Sequence, residues 1–182
     1  QMKMKKFLTL GLAAIMAVSM VGCVNQHPEE ANGTAASSDD VRIVATSPAT
    51  ADICDRLELD LVGVCSSTLS TIPERYKDVT QIGTAMSPDL EILKSLKPDY
   101  VLSPSSLQSD LQPKYESIGV NSIFLNLKSV EGMYASISDL GQKFDREEQA
   151  QALVDEFNAF MEEYKKKNEG KESPRVLVLM GL

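Results

Sequence analysis

The chain has 182 residues, 43% of them hydrophobic, 24% charged and 5% aromatic, and a formal net charge of −8. These proportions fit a folded domain with an ordinary core and exclude disordered or collagen-like classes. The acidic balance repels phosphate backbones, and no basic stripe with interleaved aromatics offsets it, which argues against nucleic acid as a partner.

Lys3, Lys5 and Lys6 precede an apolar run over residues 7–21 that stops at Gly22 and Cys23. The run is shorter than the roughly 20 residues a membrane-crossing helix needs, so residues 1–22 read as a signal peptide. SMVGC resembles a lipobox, with Gly22 at the cleavage position and Cys23 as the lipidated first residue of the mature chain. Residues 24–40 have the polar, small-residue composition of a flexible tether. Removal of residues 1–22 takes three lysines and moves the formal charge from −8 to −11.

From Val41 onward, strand-like and helix-like segments alternate. VRIVAT over 41–46 predicts a buried strand, and SPATADICDRL a helix capped by Ser47 with Pro48 at its first position. LDLVGVCS is the second strand. A helix over 87–96, the strand DYVLS, a helix over 109–118 despite Pro113, the strand NSIFLNL and a helix over 129–143 follow. This order predicts right-handed βαβ units and a parallel sheet covered on both faces, an α/β lobe over residues 41–143.

Residues 144–170 contain one segment too long for a crossover helix. Asp145 and Glu148 predict a capping box at its start, and Gly170 its end. Ala150, Leu153, Val154, Phe157, Met161 and Tyr164 recur at spacings of three and four. SPRVLVLMGL over 173–182 then reads as the opening strand of a second α/β lobe that is truncated, with 144–170 as the helix between lobes.

Cys54 and Cys65 lack CxxC spacing and a nearby histidine, which argues against zinc. After export they either form one disulfide or remain separate buried thiols. The sole histidine, His27, falls in the tether, where no rigid scaffold holds a general base. With no G-x-G-x-x-G and no P-loop, an enzyme is disfavoured.

The stretch IGTAMSPDLEILKSLKPDYVLS over 82–103 carries the chemistry of most interest. Ser87 as N-cap and Pro88 at N1 place Met86 at N′, Leu90 at N3 and Glu91 at N4. A hydrophobic staple joins N′ to an apolar N4; charged Glu91 prevents it, leaving Met86 without that packing role. A strand-to-helix loop of this kind sits at the carboxyl edge of the sheet, where ligands gather. A thioether there is a competent soft axial ligand for haem iron. Thr46 and Ser47 after the first strand, and Ser66 and Ser67 after the second, share that edge. Hydroxyls and amides at a helix N-terminus suit an anionic group, although Ser47 as a plain cap and the others as loop decoration are equally open. Glu91, in the first helical turn, is stabilised by the helix dipole without any partner.

The anchor, the α/β lobe, the long helix and the second lobe together resemble the substrate-binding lipoproteins of ABC importers. The subclass with a helical backbone between its lobes, which carries haem, cobalamin and siderophores, is the more similar one. Its signature of a glycine, a helix with acidic residues and then LKPD before a strand is present at 82–103. RIVATS, PERYKDV, LSPSSLQSDLQPKY and PRVLVLMGL are most similar to the IsdE-type haem receptors. That resemblance implies a monomeric bilobal receptor, held on the extracytoplasmic face of the cell membrane through Cys23, that hands haem to an ABC permease. It also implies that Met86 is one axial iron ligand, paired with a histidine of the second lobe. Thr46, Ser47, Ser66 and Ser67 then lie on the loops that meet the propionates. Glu91, with Glu74 of PERY as a second exposed candidate, is implied to dock the permease. The alternatives are cobalamin or a ferric siderophore as cargo, or a lobe adapted to enzymatic or structural work.

Overall fold

Along β1 (Ile43–Ala45), Ile43 and Ala45 enter one apolar cluster and Val44 another. This is the period-two alternation of a strand buried on both faces. In the computed structural model, which describes residues 41–172 and 174–176, β1 is central in a four-stranded sheet. The expected signal peptide, Cys23, the tether with His27, and residues 177–182 lie outside the described residues. The sheet order is β2 (Gly63–Val64), β1, β5 (Tyr100–Pro104) and β6 (Ser122–Leu125), and every pairing is parallel. The parallel-sheet α/β class expected from the alternation is therefore the one observed.

One face is covered by α1 (Pro48–Arg56), α4 (Val130–Lys143) and α5 (Glu147–Asn168), through Cys54, Leu57, Ile137, Leu140, Ala150 and Leu153. The other is covered by α2 (Leu90–Leu96) and α3 (Gln108–Ser117), through Leu93, Leu111 and Tyr115. Each fully buried Leu or Ile contributes about 1.5–3 kcal/mol by leaving water. The chain passes from β1 to β2 on one side and returns to β5 on the other. The topological switch point therefore lies between the carboxyl ends of β1 and β5.

Two helix starts differ from expectation. The capping box of Asp145 with Glu148 does not form: α5 begins at Glu147 after Arg146, with no side-chain cap. Asp145 instead takes φ +54 and ends α4, while the Arg146 N–H donates to Gly141 O at 2.8 Å, the 6→1 bond of a Schellman motif. Closing one helix has taken the residue that the pattern assigned to opening the next. At its far end α5 stops before Gly170, whose φ is +73, as expected. Over 22 residues it spans about 33 Å. Its first half packs on the lobe, while Phe160 and Tyr164 in its second half are exposed.

Candidate functional site at the carboxyl edge of the sheet

The second revised start bears on the site. Ser87 does not cap α2. Ser87–Pro88 form a short strand, β4, antiparallel to β3 (Gly83–Thr84), with Thr84 opposite Ser87 and Gly83 opposite Pro88. The N-cap is Asp89, whose Oδ1 accepts from the Glu91 and Ile92 N–H groups at 2.9 and 3.0 Å. Leu90 is therefore N1 and Glu91 N2. The staple positions N′ and N4 are Pro88 and Leu93, both buried. Met86 lies outside that frame altogether. With Ala85 it forms the turn of the hairpin, and it is 76% exposed.

Backbone bonds seat this hairpin at the carboxyl end of β2. Val64 N donates to Thr80 O and Ile82 N to Val64 O, both at 3.0 Å, so residues 80–82 run beside β2. Beyond them Ser66 N donates to Gly83 O at 2.8 Å, and Asp89 N closes the hairpin onto Ile82 O at 2.7 Å. The loop after β2 and the hairpin thereby form two walls of a cleft of about 290 Å³ lined by Ser66, Ser67, Thr68, Ile72, Gln81 and Thr84. None of these side chains is ionised, so the cleft offers hydroxyls and an amide.

Ser66 and Ser67 are thus brought together in one cleft with Thr84 of the hairpin whose turn carries Met86. Ser67 Oγ also accepts from Leu69 N and Ser70 N at 3.3 and 3.0 Å, which leaves its hydroxyl proton free to donate. Thr46 and Ser47 are engaged inside the lobe. Thr46 Oγ1 lies 2.7 Å from Ser103 Oγ and donates to Leu102 O at 3.1 Å; Ser103 Oγ is 3.1 Å from Tyr115 Oη. This buried hydroxyl chain ties β1 to β5 at the switch point. Ser47 makes a capping box with Thr50, whose N–H donates to Ser47 Oγ at 3.1 Å. Glu91 is exposed, and Glu74 is exposed in an ion pair with Lys77 at 2.6 Å.

Sequence reading missed Thr68, Ile72, Gln81 and Thr84. The density of Ser and Thr in SSTLST was the available signal for Thr68; Gln81 and Thr84 join only because residues 80–84 fold back along β2. Other clefts exist, one of about 350 Å³ between α4 and α5 and one of about 310 Å³ at the amino end of the sheet. Neither contains an expected site residue. Among the described residues no three His, Cys, Asp or Glu side chains converge as a metal cluster.

Cys54 and Cys65 are separate, fully buried free thiols. Burial pushes them up from the ordinary 9.0 to about 12 at Cys54 and about 11 at Cys65. Because the folded state holds these protons more tightly, their contribution to stability is complete below pH 9 and is lost as pH rises through about 11. The thiolate is the reactive form, so a disulfide-exchange reagent at neutral pH should label neither cysteine in the native protein and both after denaturation. Rapid native labelling would contradict this burial.

A parallel α/β sheet with a polar cleft at its carboxyl edge, followed by a long helix, defines the lobe of a bilobal binding protein class. The family model for periplasmic binding proteins matches residues 43–182, and the chain belongs to that family. It is 36% identical, over all 182 residues, to the high-affinity heme uptake system protein IsdE of Staphylococcus aureus, and it spans 60% of that curated relative's length. The crystal structure of S. aureus IsdE complexed with heme superposes with a TM-score of 0.69 at 37% identity, over 74% of this chain and 52% of that one. An ABC transporter substrate-binding protein from Listeria monocytogenes gives 0.69 at 40% identity, over 72% and 51%.

Proposed function

We propose that the full-length protein is a haem receptor of an ABC importer, with Met86 as one axial ligand of the iron. The observation that carries this reading is the Met86 thioether, 76% exposed on the turn of a hydrogen-bonded hairpin whose Thr84 lines a neutral hydroxyl-bearing cleft. A core-filling methionine would be buried, whereas a ligand must reach out of the lobe. Ser66 and Ser67 meet the propionates, while Thr46 and Ser47 fix the β1–α1 loop beside them. The receptor binds and delivers, without catalysis.

A second lobe, carrying a histidine as the other axial ligand, closes over this edge. The exposed second half of α5 supports a helix shared between lobes. So does the apolar cleft between α4 and α5, where the Tyr134 hydroxyl is buried with no partner among the described residues. Cys23 holds the receptor, as a monomer, on the outer face of the cell membrane, after cleavage of residues 1–22. Glu91 docks the permease: it is exposed at N2 of α2, and its side chain makes no hydrogen bond or ion pair with a described residue. Glu74 is a second contact, shared with Lys77.

Titration of the full-length protein with haem, cobalamin and a ferric siderophore tests the cargo. The expected result is saturation by one haem with a shifted Soret band, and no binding of the other two in competition. Displacement of haem by either would assign the cleft to that ligand. Glu91→Ala should leave haem affinity intact and lower delivery to the reconstituted permease; a large affinity loss with normal delivery would place Glu91 in the binding site.

A further inference from the structure

Leu69 is 96% exposed, more than any other large apolar side chain among the described residues, and Met86 comes next at 76%. An isolated exposed leucine is ordinary. Each of these two, however, stands within two residues of a side chain that lines one and the same cleft. Leu69 lies between Thr68 and Ile72, which line the wall after β2, and Met86 follows Thr84, which lines the hairpin wall. The two walls are joined by the Ser66 N to Gly83 O bond. Nor is the Leu69 backbone loose, because its N–H and that of Ser70 both bond Ser67 Oγ. A hydrogen-bonded turn therefore holds an apolar side chain out into water beside the hydroxyl-lined cleft.

That arrangement fits a flat ligand with an apolar face and a polar, anionic edge. The edge meets Ser66, Ser67 and Thr68, and the face needs apolar cover beside the iron ligand. We infer that Leu69 packs on the face of the bound haem and slows its release without touching the iron. The inference rests on the haem reading. Burying one leucine against a ring removes enough apolar surface to change a dissociation rate by about ten-fold or more.

The test is release of haem from loaded full-length protein to excess apomyoglobin, in the parent, Leu69→Ser and Leu69→Met. Leu69→Ser should release haem about ten-fold faster, with an unmoved Soret band and an unchanged melting temperature of the haem-free form. Leu69→Met should restore slow release. Leu69→Ser releasing haem as slowly as the parent overturns the inference while leaving the haem reading intact. A shifted Soret band in Leu69→Ser also overturns it, since Leu69 would then act through ligation. A parent that takes up no haem removes both readings together.

Discussion

Met86→Ala in the full-length protein should shift the Soret and visible bands of the haem complex and speed haem loss, while the haem-free form melts within a degree or so of the parent. The two halves of this expectation have different origins. With Met86 as the proposed ligand, replacing its thioether by a methyl would remove one bond to iron, and axial ligand identity sets the electronic state of a haem. Stability is spared because a side chain 76% exposed contributes almost no buried apolar surface. An unchanged spectrum would reject ligation. A large drop in apo-protein stability would show that Met86 packs in the lobe.

Gly83→Ala should have the second largest effect, through backbone geometry. Gly83 has φ +93, a conformation that L side chains rarely adopt. A Cβ there would also lie 2.9 Å from Ser87 O, a backbone atom held by the β3–β4 pairing. Neither strain can relax without moving the hairpin. A cost on the order of 1–3 kcal/mol follows from substitution at a conformation the new residue cannot adopt. The displaced turn should also weaken haem retention and reproduce the Met86→Ala spectrum. Gly119→Ala is the control: φ is +73 there, but an added Cβ meets nothing within 4 Å. It should cost about 1 kcal/mol and leave haem retention unchanged. Chemical denaturation with a parallel Soret titration separates the cases. Equal retention in both variants would show that Gly83 does not position Met86.

The alternation of strand and helix signals was enough to read the lobe, because a doubly covered parallel sheet writes itself as short apolar runs between amphipathic segments. The hairpin at 83–88 was not legible. Its turn, Ala85 with Met86, has none of the Asn-Gly or Asp-Gly chemistry that marks a two-residue hairpin, and neither residue takes a positive φ. SPD also offers two caps, Ser87 and Asp89. The local pattern favours the first, while pairing of Ser87 and Pro88 with Thr84 and Gly83 selects the second. Glu91 as the reason Met86 escapes packing was thus mistaken; exposure on the turn replaces it. Asp145 failed for a similar reason, since the end of α4 and the start of α5 compete for it. Hydroxyls at the sheet edge were visible in SSTLST, but which ones face inward depends on partners far along the chain. Thr46 bonds Ser103, 57 residues away, and is lost to the interior.

The most direct measurement is the iron K-edge X-ray absorption of haem-loaded full-length protein beside the Met86→Ala variant. The parent should show one sulfur scatterer in the iron's first shell, and the variant none. A first shell of nitrogen and oxygen alone in the parent would contradict Met86 as the ligand that this lobe presents.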